Sequence, residues 1–211
     1  AAHAFIHCAW RHFSTARDSL FTLALRRGTR LEAVIPLRLS VERLHGVPLR
    51  TLRYIAEWEG DRPGIVSTAP PGEVWGAAWS FLRANASCWD ALILAEQPAD
   101  SPLLQEMPMQ EERGIRLETA ADATAYGVTL TGTWEDYLAG TNGERGRRYH
   151  KRLRQAEKLG LSPTLERCDE PGAIAGALER FVAVEQSGWK RQAHIGVGKS
   201  EKQRRYYFDL L

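Results

Sequence analysis

The chain has 211 residues, of which 44% are hydrophobic and 26% charged, and its formal net charge is +2. Such a length supports one large or two small domains, and such a composition is that of an ordinary soluble globular protein with no membrane-spanning run. Cys8, Cys88 and Cys168 are few, odd in number and far apart, which excludes a disulfide framework or a cysteine metal site and fits reduced, mostly buried thiols in the cytoplasm.

The first residues, AAHAFIHCAW, contain neither a basic leader nor a cleavage site, so no secretory signal is expected. They lack an initiator Met and open inside a helical pattern, as a trimmed or fragmentary chain would. Residues 4–13 set Phe5, Cys8, Ala9, His12 and Phe13 on one side of a helix. His3, His7 and His12 share that stretch without a carboxylate or cysteine at ligand spacing, so they read as surface or core histidines. Residues 19–25 and 31–41 alternate apolar and polar side chains about Arg27-Gly28-Thr29, the pattern of a β-hairpin. Pro36 marks an edge or a bulge within it. A strand over 49–55 is entered through His45-Gly46-Val47-Pro48, and 57–63 reads as a polar loop.

Residues 71–85 predict a helix that buries Val74, Ala78, Phe81 and Leu82, and 90–95 (DALILA) a short central strand. Ser101 and Pro102 open another helix as N-cap and first residue, closed by Gly114; 115–120 is then a strand. Seven tryptophans are many for this length. Trp58, Trp75, Trp79, Trp89, Trp134 and Trp189 fall near element starts or on apolar faces, as core or cleft walls do. A short strand at 126–130 precedes a brief helix capped by Thr133 (TWEDYLAG). After a basic helix come a strand at 162–168, a helix at 172–188, a Gly-rich loop and a last helix at 199–211. Together these describe an α/β (α+β) protein, a mixed and mostly antiparallel sheet flanked by helices.

The basic helix, residues 144–158, holds seven Lys or Arg against two Glu, a local net of +5 in a chain of +2. Tyr149, Leu153, Ala156 and Leu159 recur at helical spacing, Gly160 stands where a left-handed residue ends a helix, and Lys158 suits the last turn. The helix is therefore expected to pack through Tyr149, Leu153 and Ala156 and to turn Arg148, Lys151 and Arg152, with Arg145, toward water or an anion. A solvated basic face is the ordinary meaning of such a run; a bidentate grip on phosphate or carboxylate is the functional one. A second candidate is Gln186–Lys190 (QSGWK), where Trp189 and Lys190 form a cleft wall and an anion contact, or Trp189 simply packs. Gly196-Val197-Gly198-Lys199-Ser200 ends like a phosphate loop but lacks the first Gly and a preceding strand, so it reads as a connection before a helix. The acid pairs Glu111/Glu112 and Asp169/Glu170 read as solvated charge. No zinc-protease, serine-hydrolase, zinc-deaminase or nucleotide-loop motif occurs.

The succession TWEDYLAG, GRRYHKRLRQAEKLG, a strand, LERFVAVEQSGWK and RRYYFDLL resembles the middle of CelD-like (cellulose biosynthesis) members of the GNAT acyltransferase superfamily. It is similar also to the Fem-type transferases that add amino acids to peptidoglycan precursors. Trp134, Tyr137, Leu138, Arg148, Arg152, Leu153, Gly160, Trp189, Lys190, Tyr207 and Leu211 fit that pattern; Ile35-Pro36-Leu37 and Asp90, Leu92 and Leu94 fit its first half more loosely. The resemblance implies an amino-terminal GNAT-like domain over 1–130 and, over 131–211, the connecting basic helix and the start of a second, catalytic GNAT-like domain. It implies a cytoplasmic N-acyltransferase moving an acyl group from acetyl-CoA or another acyl-CoA to an amine on a small or sugar-linked acceptor. The acyl-CoA pocket and catalytic groups would lie in a half absent from these residues. Arg148, Lys151, Arg152, Trp189 and Lys190 are the substrate contacts it leaves here. The alternatives are a Fem-type enzyme using aminoacyl-tRNA on a cell-wall precursor and a non-catalytic nucleic-acid-binding module.

Overall fold

Two tight turns and one proline lay out the β-rich part of the chain. The computed structural model describes residues 2–55, 57, 63–105, 115–121, 124, 126–129, 131–140, 143–162 and 164–211. Helix α1 (Ala2–Phe13) leads into β1 (Asp18–Leu20), β2 (Leu23–Arg27), β3 (Arg30–Ile35), β4 (Leu37–Leu44) and β5 (Val47–Tyr54). Gly28 turns β2 into β3 with a φ of 61°, and His45 and Gly46 turn β4 into β5 with φ of 49° and 85°. Left-handed values at both central residues are what a two-residue hairpin needs to match strand twist.

The expected single hairpin over 19–41 is two. β1 pairs with β4, Asp18 opposite Ser40, whereas β2 pairs with β3, Leu23 opposite Ile35, with a bulge at Leu25/Arg26. Pro36 is neither edge nor bulge; it is the point where the chain leaves one sheet for the other. It has no amide hydrogen to give a ladder, and its carbonyl accepts the Ile55 amide at 3.0 Å while Leu37 accepts that of Phe21 at 2.9 Å. One sheet runs β1-β4-β5-β7, where β7 (Ala91–Ile93) lies parallel to β5; the other runs β2-β3-β6, with β6 being Val66–Ser67. The expected central strand in DALILA is thus an edge strand among the described residues.

Between β6 and β7 runs α2 (Pro71–Ala84), started by Pro71 in its first turn. Val74, Trp75, Ala78, Trp79 and Leu82 from α2 pack on Ala33, Ile35, Leu37, Leu52 and Tyr54 from both sheets, with Leu103 beneath. Trp75 and Trp79 take the place expected of Phe81, which is 49% exposed. Leu82 is fully buried, and burying such a side chain stabilises by about 1.5–3 kcal/mol. A helical turn at 102–105 follows a Ser101 whose hydroxyl accepts the Leu103 amide at 3.3 Å. The strands expected at 115–120, 126–130 and 162–168 do not form in their described residues, and Tyr126 and Leu165 are almost or wholly exposed. Residues 115–118 do alternate apolar and polar side chains, but among the described residues no neighbouring strand takes up the backbone groups of any of the three segments. Trp58, most of the 57–63 loop, Glu111, Glu112, Gly114 and Leu130 lie outside the described residues.

The chain divides into two compact units, one made of Ala1–Ala120 with Glu170–Leu211 and the other of Ala121–Asp169. The first also contains α5 (Pro171–Ser187), α6 (Trp189–Gln192) and α7 (Glu201–Leu210). Ser200 caps α7 by accepting the Gln203 amide at 3.2 Å. Tyr206 of α7 is fully buried with Cys8, Ala9 and Ile55 and packs against Phe5 and Phe13. Of the three cysteines only Cys8 is buried; Cys88 is exposed. Burial pushes the Cys8 thiol above its ordinary value, and its S–H donates to the Tyr206 carbonyl at 3.4 Å.

The second unit contains α3 (Trp134–Gly140) and α4 (Glu144–Lys158). Thr133 caps α3: its hydroxyl accepts the Asp136 amide at 3.2 Å and its own amide donates to Asp136 Oδ2 at 2.8 Å, a reciprocal capping box. Gly160, with a φ of 67°, ends α4 as expected. The Leu161 amide returns to Ala156 at 2.9 Å and the Gly160 amide to Glu157 at 3.0 Å, a Schellman closure. The expected buried stripe is not found. Leu153 and Ala156 are half-buried and Tyr149 is 40% exposed, because the seven-residue α3 covers only the first turns of α4. Among the described residues no helix is long and apolar enough to cross a membrane.

Candidate functional site

Helix α4 carries three of the expected contacts. Arg148 is two-thirds exposed and pairs with Glu144 at 2.6 Å, one turn back. Lys151 and Arg152 are exposed on the same helix without an acidic partner among the described residues. Arg145 reaches the Tyr137 hydroxyl at 3.4 Å. Trp134 stacks on Tyr137 and meets Tyr149 edge-on, with ring centroids 5.3 and 5.5 Å apart.

Trp189 and Lys190 open α6, in the first unit. Trp189 is 67% exposed. Lys190 Nζ donates to Glu185 Oε1 at 2.5 Å. Glu185 is buried on α5, and its other oxygen accepts the Val197 amide at 2.8 Å. The Lys190 bond first, and the amide as well, hold this carboxyl below its ordinary value against the opposing effect of burial. The Gly-rich loop is built around that carboxylate. Gly196 has a φ of 97°, and a Cβ there would stand 2.7–2.9 Å from the Glu185 carboxylate. The loop amide that a phosphate would need is already given to a side chain. A shallow cavity of about 460 Å³ lies beside it, lined by Gln186, Ser187, Gly188, Arg191, Gln192 and His194.

A second cavity, of about 260 Å³, lies between α1 and the four-stranded sheet, with Trp10, Phe13 and Ile55 as apolar walls and Asp18, Arg38 and Glu42 on its polar side. Its charges belong to a continuous chain of ion pairs. Arg38 donates to Asp18 at 2.8 Å and lies 3.4 Å from Glu42, Glu42 accepts from Arg53 at 2.9 Å, and Arg53 reaches Glu57 at 2.9 Å. Glu57 is 5% exposed, and burial pushes its carboxyl above its ordinary value although Arg53 pulls the other way. Its Oε2 has no hydrogen-bond partner among the described residues. Sequence reasoning missed both this chain and Glu185. The signal for the first was the run of polar residues at every second position of β4, Arg38, Ser40 and Glu42; nothing local marked the second.

His12 meets Asp209 at 2.8 Å, and the His3 and His7 rings stack 5.9 Å apart, so these histidines point to separate neighbours. Comparison with protein-family models, with curated proteins and with solved structures finds no match.

Proposed function

We propose that the chain is the acceptor-side part of an N-acyltransferase of the GNAT type. The observation that carries the reading is the strand order. The antiparallel β1-β4-β5 set is followed by α2 and then by β7 returning parallel beside β5. It is a mixed, mostly antiparallel sheet flanked by helices, the class that the sequence resemblance implies. In the reaction an amine nitrogen attacks the thioester carbonyl of acetyl-CoA or another acyl-CoA. The C–N bond forms, the C–S bond breaks, the amine loses a proton and the CoA sulfur leaves as thiolate. No described residue is assigned to the thioester. Arg148, Lys151 and Arg152 contact an anionic group of the acceptor, where an arginine fork binds phosphate or carboxylate in two bonds. Within the first unit, Trp189 offers an exposed aromatic face, and Lys190 fixes the Gly-rich loop through Glu185.

The test follows thiol release from acetyl-CoA by the whole protein over a panel of amines, with and without an anionic group. Release that prefers anionic acceptors, and an acceptor KM raised about tenfold or more in Arg148→Ala/Arg152→Ala, is the expected result. No thiol release with any amine refutes the transferase. Release with an unchanged KM in the double variant removes the arginines from the site and leaves the reaction standing.

A further inference from the structure

Helix α4 has more cation than a single small anion can use. Arg147, Lys151, Arg154 and Lys158 stand four, three and four residues apart, so they share one face and span about 16 Å of helix at 1.5 Å per residue. All four are exposed, and none has an acidic partner among the described residues. The other side of α4 meets α3 over its first turns. Trp134 covers Tyr149, and Gly146 comes so close to α3 that a Cβ on it would stand 4.0 Å from the Leu138 carbonyl.

We infer that this stripe binds the phosphate backbone of a nucleic acid. An extended row of cations matches an extended row of anions, and five of the seven cations on α4 are arginines, the fork that pairs with phosphate oxygens. A lipid surface fits less well. A helix lying in a bilayer interface buries its apolar side, and here that side is in contact with α3 over the first turns. The inference goes beyond acyl transfer; it shares Lys151 alone with the proposed acceptor contacts, and the Arg154→Gln/Lys158→Gln pair below touches none of them, so each can fail without the other.

The experiment titrates the whole protein against a fluorescein-labelled 20-nucleotide RNA of mixed sequence, the same sequence as DNA, and 7:3 phosphatidylcholine–phosphatidylserine vesicles. Four phosphate contacts on a single strand give a log–log salt slope of about −3, roughly a 50-fold loss of affinity between 50 and 200 mM salt. Replacing Arg147, Lys151, Arg154 and Lys158 by Gln should flatten the slope by about that amount, and Arg154→Gln/Lys158→Gln by about half. Gln keeps helix propensity, and far-UV circular dichroism checks the fold. Replacing Arg30, Arg83, Arg116 and Lys199 by Gln lowers the net charge equally and should leave binding as it was. Binding to either nucleic acid that depends on the stripe supports the inference. No binding to either, binding only to vesicles, or equal losses in stripe and control variants overturns it.

Discussion

His12 and Asp209, 197 residues apart in the chain, meet at 2.8 Å and join the first helix to the last. The contact is peripheral to what holds them. Asp209 is 43% exposed, and exposed ion pairs contribute about 0–1 kcal/mol. Tyr206, one turn back on α7, is fully buried among Phe5, Phe13 and Cys8. Asp209→Asn should therefore cost less than about 1 kcal/mol, and Tyr206→Ala about 3–5 kcal/mol through the cavity it leaves. Urea unfolding of the two variants measures the difference. Equal costs would mean that α7 is held by charge rather than by its aromatic core.

What the sequence made legible is what is local. Thr133 with Asp136, Gly160 after a basic run, and Pro71 before an apolar stripe each announce a helix boundary through the backbone groups they satisfy. Strands depend on partners that sequence does not name. Residues 115–118 alternate as well as β4 does and still form no ladder. Pro36 looks like a flaw in one long strand until β1 and β2 are seen to pair with different strands. The same limit hid Glu185, whose amide partner Val197 lies 12 residues away across a loop. The chain from Asp18 to Glu57 likewise crosses three strands and exists only once their register is fixed. The arginines of α4 were visible because a helix brings its own neighbours together.

Two glycine substitutions should move stability in opposite directions. Gly76 lies inside α2 with nothing within 4 Å of an added Cβ, so Gly76→Ala removes backbone entropy from the unfolded chain and stabilises by about 0.5–1 kcal/mol. Gly196 has a φ of 97°, and its Cβ would meet the Glu185 carboxylate at 2.7 Å. Gly196→Ala therefore adds backbone strain to a displaced hydrogen-bonded carboxylate and should cost about 2–4 kcal/mol. Thermal unfolding of both variants reads the signs. A neutral Gly196→Ala would mean that the loop is not held on Glu185.

Glu185 should make the protein acid-sensitive. Its folded value lies below the ordinary 4.5 because Lys190 and the Val197 amide stabilise the charged form. The folded state thus binds this proton less readily than the unfolded one. The resulting stabilisation is complete above about pH 4.5 and fades as pH falls through the lower folded value. Glu185→Gln should lose about 1–3 kcal/mol at pH 7, the worth of hydrogen bonds to a charged group, and show a flatter profile between pH 5 and 3. Unfolding midpoints across that range decide it; parallel profiles for the two proteins would remove Glu185 as the cause.

Glu57 should do the reverse. Burial raises its folded value above 4.5, with Arg53 opposing, so here the folded state binds the proton more tightly. Its contribution favours the folded state below pH 4.5 and is lost as pH rises from there through the folded value. Glu57→Gln presents a neutral amide whose oxygen still accepts from Arg53, which keeps its other bond to Glu42. The variant should match or exceed the parent by up to about 1 kcal/mol at pH 7, since replacing a buried ionised group can be neutral or stabilising. The gain should disappear on acidification, where the parent carboxyl is itself neutral. Glu57→Ala removes the acceptor and should be less stable than Glu57→Gln at every pH. If Glu57→Gln instead loses 2 kcal/mol or more at neutral pH, the ion-pair chain beside the α1 cavity needs its fifth charge, and burial is not what governs that carboxyl.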